Sequence, residues 1–403
     1  MNKFSIVSGV SKSHLLRTMK LVDDRKMLRI GVTSYIPSNS WFIKFAPPKI
    51  RNKFYSRSED IHGLNTTSNL VAEIVYQVGR WLDRHKFHTI SDKVVACSFL
   101  MFSYFANSCI DRIPDTKSEI LLVRAGFGCR IRKGNRIFIC DASLAHPSTL
   151  PTLLVNGELG ITDIKFLSSV DRLILRDIEY ADRILVNSDF VKDSFVFAGV
   201  NESKITVAYL PPLPHFLKIT KTSRVFDGTI KLLFAGGLEE RKGINILHKL
   251  VEQLCLSNVN FQLLLIGNWG RVEPEVRESL LKNPKVKHRT WVSQTELAEE
   301  MSRADIFIFP SYAEGGARVV TEAMARGKAV ITSHNSGSPI THGFDGIISK
   351  LDADELMSWI HQIIGNPSLR HSLESNARIT AQTRTSDYNY CQILEKLSVV
   401  GTN

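Results

Sequence analysis

Two glutamates, Glu314 and Glu322, stand eight positions apart on either side of a predicted helix start. Gly315 and Gly316 follow the first glutamate, and a buried strand at 306–309 precedes it. A helix N-terminus presents unpaired N–H groups and the positive end of a dipole, so it suits phosphate, and glycines allow close backbone approach. The segment predicts that both carboxylates face one bound ligand, Glu314 near one end and Glu322 near the other. The alternative is a solvated or capping role for both.

A second chemical element lies upstream, where a predicted strand ends in a glycine turn that contains Gly237. Two adjacent cations, Arg241 and Lys242, follow this turn and precede a helix start. Cations placed beside a departing diphosphate make strong charge-assisted bonds and stabilise charge that develops in the transition state. We therefore expect Arg241 and Lys242 to neutralise a diphosphate leaving group. Two solvated surface cations are the alternative.

A third element is a polar loop that carries Asp141 and His146 after a predicted strand at 136–140. The carboxyl ends of parallel strands line the ligand crevice of open α/β sheets. The loop is therefore expected to bring both side chains towards a cleft. A histidine in a purely structural role remains the alternative.

The run from Asp305 to Pro339 resembles the family 4 retaining glycosyltransferases. In that family a glutamate, seven residues, a second glutamate and an alanine precede a turn rich in small residues, and this chain has Glu314, Glu322 and Ala323 at that spacing. The sequence E-G-G-A-R-V-V-T-E-A-M resembles that of family members that build bacterial surface polysaccharides. The resemblance implies the GT-B fold, in which two Rossmann-like doubly wound domains face a central cleft.

The resemblance also implies roles for individual residues: Glu314 contacts the transferred sugar and Glu322 binds the ribose hydroxyls of the donor. The implied catalytic residues are Glu314, Arg241, Lys242 and His146. The implied donor-binding residues are Gly237, Gly315, Gly316, Ala317, Arg318, Val319 and Glu322. Gly9 and Asp141 are expected on the acceptor side. Two departures stand out: Gly237 occupies the place of a usual arginine, and Gly9 stands alone where the family often has Gly-Gly.

The reaction that the resemblance implies is a hexose transfer with retention from a UDP- or GDP-linked sugar to a glycan or lipid-linked acceptor. A donor phosphate oxygen would take the acceptor proton while Glu314 positions the sugar. No Asp-x-Asp motif is evident in the expected context and no His/Cys cluster is present, so we expect no metal and no cofactor besides the donor substrate. A double displacement on a carboxylate remains open, although the sequence offers no second candidate.

Strands alternate with helical patterns along the chain, which indicates α/β domains with parallel sheets. Pro211, Pro212 and Pro214, followed by a polar stretch, interrupt this alternation. We therefore predict an acceptor-side domain over 1–214 and a donor domain over 225–378. The remaining segment, 379–403, is predicted as a C-terminal helix that crosses back to the first domain.

The net charge of +11 is uneven, because the first 150 residues carry 23 Lys and Arg against 11 Asp and Glu, and the remainder carries 28 against 29. A one-sided basic surface favours a polyanionic partner. No helix-turn-helix or zinc-finger pattern supports nucleic acid, so we expect none. The six cysteines form no C-x-x-C pair, which fits a reducing cytoplasm. The apolar window 94–110 is interrupted by polar residues and predicts a buried helix, not a membrane span.

The segment 41–57 combines five aromatic with five basic residues around Pro47-Pro48. This composition suits an anionic membrane interface, and a solvated loop is the alternative. The first interpretation places the protein in the cytoplasm, with peripheral attachment to the inner face of the cell membrane.

The same sequence elements are also compatible with a sugar phosphorylase, a nucleotide-sugar epimerase, or a donor-binding scaffold without turnover. The presence of Glu314, Lys242 and Glu322 speaks against the scaffold. An NAD(P) oxidoreductase would need G-x-G-x-x-G after a strand, and neither Gly9 nor Gly236-Gly237 provides it.

Overall fold

The computed structural model describes residues 3–11, 13–34, 63–114, 119–218 and 228–397. The basic-aromatic segment 41–57 lies outside these described residues, and its predicted interfacial role stays a prediction. The described chain forms two α/β domains, each built on a parallel sheet. The predicted fold class is thereby confirmed.

The N-terminal domain contains a seven-stranded sheet with the order β3-β2-β1-β4-β5-β6-β7. Its central strands are buried on both faces, so they read as continuous apolar runs without strict alternation. The strands are β1 (Lys3–Gly9), β2 (Leu28–Thr33), β3 (Thr66–Ser68), β4 (Glu119–Arg124), β5 (Ile137–Ala142), β6 (Arg183–Val186) and β7 (Ile205–Val207). The helices of this part are α1 (Leu15–Asp23), α2 (Leu70–Arg84), α3 (His88–Ile110), α4 (Leu150–Asn156), α5 (Ser169–Tyr180), α6 (Asp189–Phe197) and α7 (Pro214–Leu217).

Helix α3 is the one helix in the described ranges that is long and apolar enough, by length and composition, to cross a membrane. In this structure it is a core helix: Phe102 and Ala106 are fully buried, and the ring of Phe99 stacks on Phe127 at 4.0 Å. The predicted buried helix at 94–110 lies within it.

The C-terminal domain contains a six-stranded sheet with the order β10-β9-β8-β11-β12-β13. The strands are β8 (Ile230–Ala235), β9 (Phe261–Ile266), β10 (Val286–Arg289), β11 (Ile306–Phe309), β12 (Ala329–Ser333) and β13 (Ile347–Ser349). The helices are α8 (Ile244–Leu256), α9 (Pro274–Lys282), α10 (Gln294–Arg303), α11 (Arg318–Ala325), α12 (Ala353–Gly365) and α13 (Pro367–Thr383). The first five strands are apolar or mixed runs of four to six residues, and β13 is only three residues long.

The last helix of the described residues is α14 (Asp387–Leu397), which packs on the N-terminal domain. Tyr390 is buried there, with its hydroxyl 3.1 Å from Thr18 Oγ1. Arg17 donates to Asp387 Oδ1 at 2.7 Å and to the carbonyl oxygen of Pro212 at 2.9 Å. One arginine of α1 therefore holds both the proline linker and the returning helix. This helix starts at Asp387, later than the predicted 379, because α13 continues to Thr383.

Candidate active site

Three charged side chains meet at the carboxyl end of the C-terminal sheet. Glu314 Oε1 lies 2.8 Å from Arg241 Nη1 and 3.1 Å from Lys242 Nζ. Arg241 also donates from Nη2 to Glu239 Oε1 at 2.8 Å and from Nη1 to the carbonyl oxygen of Ala313 at 2.6 Å. The side chains of Lys242 and Glu314 are 18 % and 15 % exposed. The two predicted elements thus share one cluster, in which a carboxylate is held by two cations that solvent still reaches.

The backbone explains why the two elements lie together. Arg241 and Lys242 belong to a single 3-10 turn, Glu240–Lys242, which follows β8 and ends at Gly243. Gly243 has φ +78°, and a Cβ there would lie 2.0 Å from the carbonyl oxygen of Pro310, so only glycine fits. The N–H of Tyr312 also donates to the carbonyl oxygen of Arg241 at 2.8 Å. The turn after β8 is therefore fixed against the loop after β11, which carries Glu314.

The Gly315–Gly316 loop forms a contact between the two domains. A Cβ on Gly315 would lie 1.6 Å from the carbonyl oxygen of Ser143, in the loop that also carries His146. The hydroxyl of Ser188 donates to the carbonyl oxygen of Gly315 at 2.6 Å, and Gly316 packs against Asn187. The prediction that these glycines let the backbone approach a ligand stays a prediction. In this structure Gly315 lets the backbone approach the facing domain.

Helix α11 starts at Arg318, with Ala317 as its N-cap residue, and Val319 follows in its first turn. The N–H of Ala317 donates to the carbonyl oxygen of Ser336 at 2.9 Å. The predicted contact between this N–H and a phosphate is therefore not available in this arrangement. Gly316 precedes the N-cap residue Ala317 in the loop that follows β11.

Glu322 is placed differently from Glu314. It lies one turn into α11 and is only 5 % exposed. Burial raises the pKa of Glu322 to about 7, although Arg318, Arg17 and a backbone hydrogen bond from Leu213 oppose the shift. The carboxyl group therefore lies under the proline linker and is close to its titration point at neutral pH.

His146 is a neutral hydrogen-bonding group in this structure. Burial lowers its pKa to about 4, and its ring packs edge-on against Phe195 at 5.0 Å. The N–H of Ser148 donates to Nδ1 at 3.3 Å, so Nδ1 is an acceptor and the ring proton lies on Nε2. A neutral Nε2–H can donate a hydrogen bond to a sugar or phosphate oxygen but adds no positive charge.

Asp141 is completely buried at the carboxyl end of β5 and pairs with a residue that the sequence argument missed. His14, immediately before α1, places Nε2 3.1 Å from Asp141 Oδ1. Within the described ranges, Asp141 Oδ2 has no hydrogen-bond partner. Arg124 lies nearby and donates to the carbonyl oxygen of Val10 at 2.9 Å, and burial lowers its pKa.

A cavity of about 250 Å³ opens beside this pair and is lined by Asp141, Arg124, Phe127 and Leu144, among others. Gly9, the other predicted acceptor-side residue, packs against Phe127. Its φ is +75°, and a Cβ there would lie 2.3 Å from the ring of Phe127. Gly9 therefore serves close packing under the cavity.

A solved structure with this architecture supports the two-domain cleft. HepE from Anabaena, in complex with UDP and glucose, superposes with a TM-score of 0.66 over 99 % of this chain and 100 % of its own, at 16 % identity. Identity at this level defines the fold alone, and the fold is GT-B.

The sequence comparisons give the class of protein. Residues 217–380 match the family of glycosyl transferases, group 1. An uncharacterised glycosyltransferase of Methanocaldococcus jannaschii is 23 % identical over 68 % of this chain and 80 % of its own. The capsular polysaccharide biosynthesis glycosyltransferase CapM of Staphylococcus aureus is 26 % identical over 44 % of this chain and 48 % of its own. These matches support a GT4-like glycosyltransferase, as the resemblance implied.

Proposed function

We propose that this glycosyltransferase moves a hexose-type sugar, with retention, from a UDP- or GDP-linked donor to a glycan or lipid-linked acceptor in bacterial surface polysaccharide synthesis. The observation that carries the proposal is the contact of Arg241 and Lys242 with Glu314 at the interdomain contact. Two cations beside a carboxylate suit a donor that is anionic at its diphosphate and hydroxylated at its sugar.

In the proposed reaction, Arg241 and Lys242 bind the diphosphate as its negative charge grows, which lowers the transition-state barrier. Glu314 then exchanges one cation for the hydroxyls of the sugar and fixes its orientation. The neutral Nε2–H of His146 donates a hydrogen bond from the opposite domain. The acceptor proton passes to a phosphate oxygen of the leaving group, so no protein base is required.

The first test is a panel of UDP and GDP sugars with release of nucleoside diphosphate as the readout, followed by proton NMR of the product anomer. Retention of the donor configuration supports the proposal. Inversion of configuration would sink the retaining mechanism. A sugar phosphorylase would instead release sugar 1-phosphate in the presence of inorganic phosphate, and an epimerase would convert the donor without any acceptor.

We also propose that turnover needs no metal, because Arg241 and Lys242 supply the positive charge next to the diphosphate. Activity is expected to stay unchanged when EDTA is added in excess. Loss of activity that Mg²⁺ or Mn²⁺ restores would contradict this assignment.

The proposed location is the cytoplasm, with peripheral attachment to the inner face of the membrane through residues 41–57. The support is compositional, since each Lys or Arg at an anionic surface contributes about 1 kcal/mol. Changing Lys44, Lys49, Arg51 and Lys53 to Gln is expected to weaken co-sedimentation with anionic vesicles. Unchanged co-sedimentation would remove this segment from the interface.

A further inference from the structure

Helix α2 turns its apolar side away from the protein. Val71, Ile74, Val78 and Trp81 recur at spacings of three and four residues and therefore share one helix face. Each of these side chains is between 47 and 57 % exposed. A surface helix ordinarily packs such a face on the core, so α2 has the reverse orientation.

Close packing fixes this orientation. The inward face of α2 carries Ala72 and Gly79, both buried. A Cβ on Gly79 would lie 2.6 Å from the side chain of Val95 in α3. The hydroxyl of Ser91 donates to the carbonyl oxygen of Gly79 at 2.9 Å. Rolling the helix inward would break these contacts and push the large side chains against α3.

The exposed apolar surface continues past the end of the helix. Phe87 and Ile90, in the turn into α3 and its first residues, are 52 % and 54 % exposed. Single exposed apolar residues are normal on a soluble protein, but a contiguous set indicates an interaction site. We call the six residues together the α2 face: Val71, Ile74, Val78, Trp81, Phe87 and Ile90.

The charges around the α2 face favour an anionic partner. Arg84, Lys86 and Lys93 are exposed beside it. Two of the nearby acids point into the protein: the Glu73 carboxylate accepts a hydrogen bond from the N–H of Ser11, and that of Asp92 accepts one from the N–H of Ser169. Asp83, the remaining acid of α2, is within 3.0 Å of His88. The outward side of this region is therefore cationic as well as apolar.

The α2 face also lies next to the acceptor side of the cleft. Helix α2 follows the carboxyl end of β3, with Asn69 as its N-cap residue. Glu73 in its first turn holds Ser11 at 2.8 Å, and Ser11 belongs to the loop that leads to His14. A surface that bound to α2 would thus meet the molecule at the rim next to the His14–Asp141 pair.

We propose that the α2 face docks on a lipid bilayer with anionic headgroups, with its apolar side chains among the acyl chains and its cations at the phosphates. An interfacial helix of this kind gains from buried apolar area and from attraction to anionic lipid. The inference rests on the proposed function in one respect, since the docked rim would receive a lipid-linked acceptor. It is independent of segment 41–57.

The experiment is co-sedimentation of the full chain with vesicles of neutral phosphatidylcholine and with vesicles that also contain phosphatidylglycerol. The wild type is expected to bind the anionic vesicles and to lose binding as NaCl is raised. The variant Ile74→Ser, Val78→Ser and Trp81→Ser is expected to bind at least about tenfold more weakly, because it removes most of the buried apolar area. Arg84→Gln and Lys86→Gln are expected to cost about fivefold each.

Matched control variants separate the effect of the α2 face from the effect of removing any exposed apolar or cationic side chain. Trp291→Ser removes an equally large apolar side chain that is 74 % exposed on the C-terminal domain, and Lys282→Gln removes an exposed cation of α9. Both are expected to bind like the wild type. Circular dichroism of each variant checks that the helices are intact.

Equal binding of the wild type and the triple serine variant overturns the proposal. So does a wild-type dimer that ignores vesicles and dissociates when the α2 face is changed, because the occupant is then a second copy of the chain. Donor turnover with a water-soluble acceptor is measured in parallel. If vesicle binding fails while this turnover persists, the docking inference alone fails. If binding is seen without any turnover, the proposed function alone fails.

Discussion

The two sides of the cleft differ in how their candidate residues are assembled. On the donor side, Arg241, Lys242 and Glu314 come from two short loops, and their side chains are 33 %, 18 % and 15 % exposed. On the acceptor side, His14 and Asp141 come from distant parts of the chain and are 9 % and 0 % exposed. Charges that solvent reaches suit a soluble, anionic donor, whereas a buried pair beside a small cavity suits recognition by shape and a few hydrogen bonds.

The largest loss of turnover is expected from substitutions on the donor side. Arg241→Ala and Lys242→Ala are each expected to lower kcat by roughly 100-fold, since removal of one transition-state donor costs about 3 kcal/mol. Lys249→Ala, an exposed cation on α8, is the matched control and is expected to leave kcat unchanged. Steady-state assays of nucleoside diphosphate release provide the measurement. Near-normal turnover in both single variants would show that the cluster does not neutralise the diphosphate.

Glu322→Gln is expected to raise the free energy of unfolding at pH 8 while it lowers the affinity for nucleoside diphosphate. Burial raises the pKa of the folded-state carboxyl from 4.5 to about 7, so the unfolded chain loses this proton first as pH rises. Wild-type stability therefore falls between these two pKa values and stays lowered above them. The variant does not titrate, so its free energy of unfolding at pH 8 is expected to exceed that of the wild type by about 3 kcal/mol, with no such gain near pH 4.

The same variant is expected to bind nucleoside diphosphate more weakly by roughly 1.5–3 kcal/mol, because an amide replaces a charged acceptor. Urea denaturation at pH 4 and pH 8 and calorimetric titration at pH 8 measure the two effects. Unchanged nucleotide affinity would remove Glu322 from the donor site, and a stability difference independent of pH would contradict the raised pKa.

His146 is expected to act through its neutral Nε2–H. Its pKa of about 4 lies well below its ordinary value near 6.5, so the pH profile of kcat should show no histidine step between pH 5.5 and 8. His146→Ala is expected to lower kcat by roughly 10-fold, the usual cost of one hydrogen bond. His146→Gln, which keeps a donor, is expected to restore part of it. A wild-type step near pH 6.5 that disappears in both variants would mean that the imidazole titrates during catalysis.

The smallest effect is expected on the acceptor side. Asp141→Asn keeps the shape of the side chain but removes the charge that pairs with His14, so we expect a several-fold rise in the KM for acceptor, given about 1 kcal/mol for one hydrogen bond. Donor affinity is expected to stay unchanged. Steady-state assays in which the acceptor and donor concentrations are varied separately measure the KM for each substrate. A change confined to the KM for donor would place Asp141 on the donor side of the cleft and contradict its assignment to the acceptor side.

The same contrast explains what could be predicted from the sequence. Glu314, Arg241 and Lys242 could be proposed from the sequence because each lies in a short motif at a strand end, and local spacing is visible in the chain. His14 was missed because its partner, Asp141, is 127 positions away and nothing local marks the pair. The contact of Gly315 with Ser143 was missed for the same reason, since Ser143 belongs to the other domain.

Element boundaries show a similar limit. Helical spacing of apolar residues continues from Ser13 to Leu28, but α1 ends at Asp23 because Lys26 adopts φ +57° and the chain turns into β2. The outward apolar face of α2 could not be read from periodicity, which identifies an amphipathic helix but assumes that its apolar side faces the core.

The most direct test of the donor assignment is a calorimetric titration of UDP and GDP into the wild type, Lys242→Ala and Lys249→Ala. We expect one of the two nucleotides to bind the wild type and Lys249→Ala equally, and to bind Lys242→Ala at least about tenfold more weakly, as expected for the loss of a charge-assisted bond to phosphate. Equal affinity in all three proteins, or binding of neither nucleotide, would contradict a donor site built around Arg241, Lys242 and Glu314.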